Sequence, residues 1–318
     1  MREISPFHKV LASIPGVYII GVAGDSGSGK TTFTAMLRHL FGDLLVSTIS
    51  LDDYHLLDRE ERKKRRLTPL APEANNLKGL LADLRSMKAG RSIEKMVYNH
   101  SIGTLEGPVK FTPSRILILE GLHTLYTAEI RENLDFSLYV DPASDVKREW
   151  KIKRDTGRRG YSEQEVIEEI RRREADYSRY IAPQREVAEA IVNIAFSRFG
   201  RDAGWIKNTY RTSLFLNPVP EMSGSTGFII GLSPLLAMMS CPFSLEYSHQ
   251  VVGNRSMAVL TADGEFDSQF ISSFAVSMEE ETGVNPSKVF KERSCLTPSD
   301  IIQLILCWRI INDILSRA

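Results

Sequence analysis

Short apolar runs alternate with stretches of helical period through the first two hundred residues. Residues 16–22 (Gly-Val-Tyr-Ile-Ile-Gly-Val) carry no charged break, the pattern of a strand buried on both faces. In 31–41, Phe33, Leu37 and Leu40 share one helical face. Residues 44–51 predict a second strand ending at Asp52. A helix over 77–89 follows, striped by Leu77, Leu80, Leu81 and Leu84. Residues 115–119 (Arg-Ile-Leu-Ile-Leu) predict a strand running into Glu120-Gly121, and 135–140 and 190–196 predict two more. Ser162 with Glu165 forms a capping box for a helix reaching about Tyr180. Continuous strands separated by helices specify an α/β fold, a mainly parallel sheet covered by helices.

The pattern changes after about Phe199. Residues 201–231 are rich in Gly, Pro and Ser; 245–252 and 257–261 read as strands, 266–281 and 298–315 as helices. Thr297, Pro298 and Asp300 are a strong start for the last helix. The expected division is a first domain over 1–199 and a smaller α+β domain over 200–318. The last helix is apolar on most sides, at Ile301, Ile302, Leu304, Ile305, Trp308 and Ile311, which fits the second domain's core or a subunit interface.

Charge narrows the function classes. Lys plus Arg and Asp plus Glu number 40 each, so no global field draws the chain to nucleic acid or to a membrane surface. The first apolar run is too short for a membrane span. Cys241, Cys295 and Cys307 are far apart and lack metal-ligand spacing. The expectation is a cytoplasmic enzyme whose phosphate affinity comes from local clusters.

The strongest chemical signal is Gly24-Asp25-Ser26-Gly27-Ser28-Gly29-Lys30-Thr31, followed by Thr32. It matches G-x-x-x-x-G-K-[ST], placed between a strand and a helix, where glycines let successive amides face one anion. An ordinary Gly/Ser turn meets this pattern and this context together only rarely. The loop predicts ATP binding, Lys30 bridging the terminal phosphates and Thr31 joining the Mg²⁺ shell. Glu120, directly after its strand, is the candidate metal carboxylate, with Asp141 a rival. Asp52 and Asp53 follow the second strand, where ligands bind in such sheets. One of them can accept the proton of an alcohol; a solvated turn is the plainer reading. Basic runs at 59–66 and 147–159 read as solvated helix faces, or, for the second, as a mobile lid near 145–161 with Gly157 inside it and Gly160 at its end. Asp155 inside it can orient the arginines or bind a hydroxyl. A nucleic-acid reading of 62–66 lacks interleaved aromatics.

With these motifs in hand, the first two hundred residues resemble the phosphoribulokinase branch of the phosphoribulokinase/uridine kinase family. Leu51-Asp52-Asp53-Tyr54-His55 with Asp58-Arg59 resembles its signature after the second strand. Pro72 to Leu77 and Tyr98-Asn99-His100 resemble its sugar-phosphate loops, and Leu119 to His123 its metal-binding strand. Lys151 to Asp155 with Arg158 to Tyr161 resembles its lid, and Tyr180 to Gln184 closes the set. The resemblance implies a P-loop kinase domain phosphorylating ribulose 5-phosphate with ATP. Asp52 would be the base, Glu120 the magnesium carboxylate, and Lys30, Arg154 and Asp155 further catalytic groups. Arg59, His100 and Arg159 would be sugar-phosphate ligands, with His55 and Tyr98 lining the same pocket. It also implies a homodimer. Uridine kinases, the alternative, match less well where His55, His100 and His123 occur. Redox-switch cysteines of photosynthetic eukaryote members are replaced here by Ser28 and Ser50, so thiol control of that type is not expected.

Overall fold

The computed structural model describes residues 6–218, 241–268, 272–284, 286 and 293–317. Its contacts divide the chain into two compact units. One comprises residues 15–34 and 43–189 and is built on four parallel strands: β1 (Tyr18–Ala23), β2 (Val46–Ser50), β5 (Ile116–Gly121) and β6 (Phe136–Pro142), in the order β2-β5-β1-β6. Every residue of β1 is buried, because β5 and β6 flank it and both faces are covered. This is why its sequence shows no polar alternation. The edge strand β2 is fully buried only at Val46 and Ile49.

On one face, Ile19 of β1, Ile49 of β2 and Leu117 and Leu119 of β5 pack with Leu80, Leu84 and Met87 of α4 (Leu77–Lys88). The stripe expected at Leu77 and Leu81 is only partly buried; Met87 completes the seven-residue spacing instead. Cutting Leu84 to Ala would cost about 2–5 kcal/mol. An antiparallel hairpin, β3 (Ile93–Asn99) and β4 (Thr104–Phe111), forms a separate small sheet. Two helices follow β6. α6 (Ser144–Arg159) ends at Gly160, which takes the left-handed φ of 72°. Gly157 lies inside it without interrupting it; one glycine inside sixteen helical residues costs only about 1 kcal/mol. α7 (Glu163–Asp176) begins with the expected Ser162–Glu165 capping box and ends in a π turn over Tyr177–Ile181.

The other unit contains residues 1–14, 35–42 and 190–318. Its antiparallel strands β7 (Ala190–Phe196), β8 (Tyr210–Leu216), β9 (Phe243–Val252) and β10 (Arg255–Gly264) run in the order β7-β8-β10-β9. The division at Glu189 and Ala190 differs from the boundary expected near residue 199, because β7 pairs with β8 along all seven residues. Phe266 and Asp267 form a short strand with Cys295 and Leu296, so the helix expected from 266 begins later, at Ser272–Thr282. The last helix, Pro298–Leu315, starts at the Thr297–Asp300 capping box and buries Ile301, Ile302, Leu304, Leu306 and Ile310, the core reading of its apolar cover. Much of the Gly-, Pro- and Ser-rich stretch at 201–231 lies outside the described residues. Among the described residues no helix is long and apolar enough to cross a membrane.

Candidate active site

The carboxyl ends of β1, β2 and β5 converge. In register, Val22 and Ser50 both lie opposite Glu120. The loop after β1, the turn after β2 and the end of β5 therefore surround one cleft, where parallel sheets bind ligands. That cleft holds about 670 Å³.

From β1 the chain curls through the glycine-rich loop into α2 (Lys30–Phe41). Gly24 has a φ of 149°, and a Cβ there would lie 2.6 Å from the Val140 carbonyl oxygen and 2.8 Å from Ser28 Oγ. No side chain fits. Lys30 Nζ donates to the carbonyls of Gly24 (2.9 Å) and Asp25 (2.8 Å), which fold the ammonium back over the loop. Burial pulls the Lys30 pKa down, opposed by Asp25, Asp52 and Glu120. Ser28 Oγ is buried and makes no hydrogen bond. Asp25 turns aside: one oxygen accepts from the Ser26 amide and the other pairs with Lys147 at 3.0 Å. Burial would raise its pKa, yet Lys147 and Lys151 outweigh that and hold it below the ordinary carboxylate range. Thr31 lines the cleft, whereas Thr32 is an exposed residue of the first helical turn.

A face of α6 lies against this loop at helical spacing. A Cβ at Gly29 would meet the Trp150 ring, and one at Gly27 would meet Lys151 and Arg154. Arg154 is held by Asp155 through two contacts, Nε to Oδ1 at 2.7 Å and Nη2 to Oδ2 at 3.1 Å. Arg159 reaches the same carboxylate at 3.2 Å. Burial pushes Asp155 up, but the two arginines dominate and its pKa is lowered. Asp155 therefore aims two guanidinium groups at the cleft.

Across the cleft, the turn Leu51–Tyr54 presents Asp52, whose amide is held by Ser50 Oγ. His55 Nε2 lies 3.5 Å from Asp52 Oδ1, and His100 Nε2 lies 3.4 Å from Oδ2. The Tyr98 ring meets both imidazoles edge-on, with centroids 5.0 Å apart in each pair. Arg59 Nη2 donates to the His100 carbonyl at 2.7 Å. Asp53 faces the other way: it accepts the Tyr98 amide at 2.8 Å and pairs with Lys95 at 2.5 Å. The two neighbouring aspartates thus separate, Asp52 into the cleft and Asp53 into the anchor of the β3–β4 hairpin.

Glu120 lines the cleft beside Thr31, and one of its oxygens accepts from Thr34 Oγ1 at 2.9 Å. Asp141 does not line the cleft; Arg185 binds it at 2.9 Å, and burial raises its pKa against that pairing. Among the described residues no cluster of three acidic, His or Cys side chains could hold a metal by itself.

Comparison with known proteins places the chain. Residues 19–197 match the model of the Phosphoribulokinase / Uridine kinase family. The chain belongs to this family. A phosphoribulokinase of Synechocystis sp. is 42% identical over 186 residues, 58% of this chain and 56% of its own length. The chain thus spans little more than half of that relative. The chloroplastic phosphoribulokinase of Triticum aestivum is 33% identical over 287 residues, 81% of this chain and 70% of its own length. A solved phosphoribulokinase from Rhodobacter spheroides superposes with a TM-score of 0.57 at 18% identity, covering 96% of this chain and 100% of that one, and so shares the fold.

The phosphoribulokinase/uridine kinase motifs do not all reach the cleft. Lys30, Thr31, Asp52, His55, Arg59 and Tyr98 line it, as do His100, Glu120, Arg154, Asp155 and Arg159. His123 does not: it is 1% exposed and its Nε2 bonds the Leu70 carbonyl at 2.9 Å, so it braces a loop. Among the lining groups that escaped the residue-by-residue reading, two look like ordinary members of basic runs. Arg62 is 6% exposed and donates to the Tyr98 hydroxyl at 3.0 Å. Lys151, 4% exposed, faces the phosphate loop, and burial together with Arg173 pushes its pKa down to about 8. Their helical spacing, Arg62 three beyond Arg59 and Lys151 three before Arg154, was the usable signal.

Proposed function

We propose that the chain is a phosphoribulokinase, transferring the terminal phosphoryl group of ATP to a hydroxyl of ribulose 5-phosphate to give ribulose 1,5-bisphosphate. One observation carries this reading: the Asp52 carboxylate stands between two imidazoles in the same cleft as Lys30 and Thr31 of the phosphate loop. An alcohol kinase requires a base at the acceptor hydroxyl and positive groups around the transferring phosphoryl, and little else of covalent chemistry. The identity to named phosphoribulokinases adds the substrate class.

In this mechanism the loop amides and Lys30 hold the ATP phosphates, Lys30 exchanging its two loop carbonyls for phosphate oxygens. Asp52 accepts the hydroxyl proton as the sugar oxygen bonds phosphorus and the bond from phosphorus to the β-phosphate oxygen breaks. Arg154, Arg159 and Lys151 face the charge that spreads over the transferring group. His55, His100, Arg59 and Tyr98 bound the sugar-phosphate side. Thr31 and Glu120 fit a magnesium ion, one hydroxyl and one carboxylate being the sparse protein share typical of an ion that also takes phosphate oxygens and water. When bound, that ion neutralises charge on the phosphates. A homodimer and a cytoplasmic location belong to the same reading, supported by the family and by the scarcity of cysteine.

ADP release measured with ribulose 5-phosphate, with uridine and with no acceptor tests the proposal. Turnover on the phosphosugar alone is expected. Faster turnover on uridine would replace it with a nucleoside kinase.

A further inference from the structure

Behind the cleft, Asn75 is 8% exposed and uses both ends of its amide. Its Nδ2 donates to the carbonyl oxygens of Pro69 at 3.1 Å and Ala71 at 2.9 Å. Carbonyl oxygens only accept, so the nitrogen must face them, and Oδ1 must be the atom 2.8 Å from His55 Nδ1. Oδ1 also only accepts. The imidazole hydrogen therefore resides on Nδ1. Backbone bonds on either side, Leu56 amide to Ala74 carbonyl at 2.9 Å and Asn76 amide to Tyr54 carbonyl at 2.7 Å, fix the separation of the two residues.

The ring has little freedom to answer otherwise. It is 6% exposed and packed edge-on against Tyr98, whose hydroxyl is occupied by Arg62. The charged and titratable groups around it are Asp52, Arg62, His100 and, behind it, His123. Burial lowers the His55 pKa below its ordinary 6.5, Asp52 opposes, and Arg62 and His100 reinforce the fall. A neutral ring with hydrogen on Nδ1 shows a lone pair at Nε2. That lone pair lies 3.5 Å from Asp52 Oδ1, another acceptor. The opposite tautomer would donate to Asp52 and occupy the oxygen that the reaction needs.

We propose that Asn75 is a positioning residue that locks His55 in the Nδ1–H tautomer, so that His55 Nε2 and the Asp52 carboxylate form a paired-acceptor site reserved for a hydroxyl donor of the sugar phosphate. The proposal rests on the function given above and adds how the acceptor hydroxyl is selected. A substrate hydroxyl satisfies the pair; a group without a donor leaves the buried Nε2 facing a carboxylate oxygen with no hydrogen between them. Asn75 does not line the cleft and reaches it only through the His55 ring, which does.

The full chain labelled with ¹⁵N-histidine tests this, the His55 signal being assigned by its loss in His55→Gln. In the wild type, Nδ1 is expected to resonate as a protonated nitrogen and Nε2 as a bare one. In Asn75→Leu the pattern should invert or average, kcat on ribulose 5-phosphate should fall by at least about tenfold, and KM for ATP should stay within about twofold. A hydrogen on Nε2 in the wild type would overturn the lock, whether or not the variants fold. So would an unchanged tautomer and unchanged kcat in Asn75→Leu. A wild-type protein that shows the Nδ1–H ring but phosphorylates uridine instead would keep the lock and overturn its sugar-phosphate partner.

Discussion

Lys151 offers a test in which stability and activity should move in opposite directions. The side chain sits on α6 against the phosphate loop and is 4% exposed. Burial and the neighbouring Arg173 push its pKa from 10.5 down to about 8, with Asp25, Glu169 and Asp155 opposing. Below about pH 8 the folded chain carries a buried ammonium that the unfolded chain would hydrate. Between about 8 and 10.5 the unfolded lysine is protonated and the folded one is not, so stability rises with pH across that window. The gap corresponds to an unfavourable contribution of about 3 kcal/mol at neutral pH. Lys151→Met keeps the length of the side chain and removes the charge. It should stabilise the chain by up to about 3 kcal/mol at pH 7, raising Tm by roughly 5 °C, and should flatten the rise between pH 8 and 10. Turnover should fall by at least about a hundredfold, the scale of a lost group facing developing charge. In the wild type, kcat/KM should fall with the loss of one proton above pH 8, and Lys151→Arg should remove that limb. Thermal melts at pH 7 and 9.5 and initial rates from pH 6.5 to 9.5 decide the matter. A destabilised Lys151→Met, or an alkaline limb that survives in Lys151→Arg, refutes the reasoning.

Three further outcomes are expected. Asp52→Asn should lower turnover by at least about a hundredfold while nucleotide affinity, read by calorimetry, stays nearly intact; near-normal turnover would reject Asp52 as the base. Gly24→Ala should abolish measurable ATP binding, since its Cβ would stand 2.6 Å from the Val140 carbonyl oxygen. Asp53→Ala strips the partner from Lys95, which is 9% exposed, and should cost about 3–5 kcal/mol of stability by denaturant unfolding. KM for the sugar phosphate should rise more than KM for ATP, because the hairpin that Asp53 anchors carries Tyr98 and His100.

The parallel strands were legible because burial on both faces writes an uninterrupted apolar run, as in β1. The phosphate loop was legible because its geometry admits so few residues. Asp52 and Asp53, adjacent and identical in type, were separable by the family resemblance but not by pattern or chemistry. In the structure it is the hairpin returning to Asp53 that ties this carboxylate up and leaves Asp52 to the cleft, and that pairing spans more than forty residues. Likewise Glu120 and Asp141 both end strands, but Arg185 captures the second. His123 resembled a site histidine until its bond to Leu70 showed a brace. The role of Asn75 depends on two carbonyls that no motif encodes. Boundaries in the last third blurred for a simpler reason: an antiparallel strand exposed along much of its length, such as β9, carries only a weak apolar run.

The account turns on Asp52 drawing a proton from a pentulose phosphate while the phosphate loop presents ATP. Phosphorus NMR of a mixture of the protein, ATP, magnesium and ribulose 5-phosphate tests this most directly. One new phosphate monoester at the sugar's other terminal carbon should appear for each ADP formed, and its rate should collapse in Asp52→Asn. ADP appearing without a bisphosphate product, or a bisphosphate formed as fast by Asp52→Asn, would contradict it.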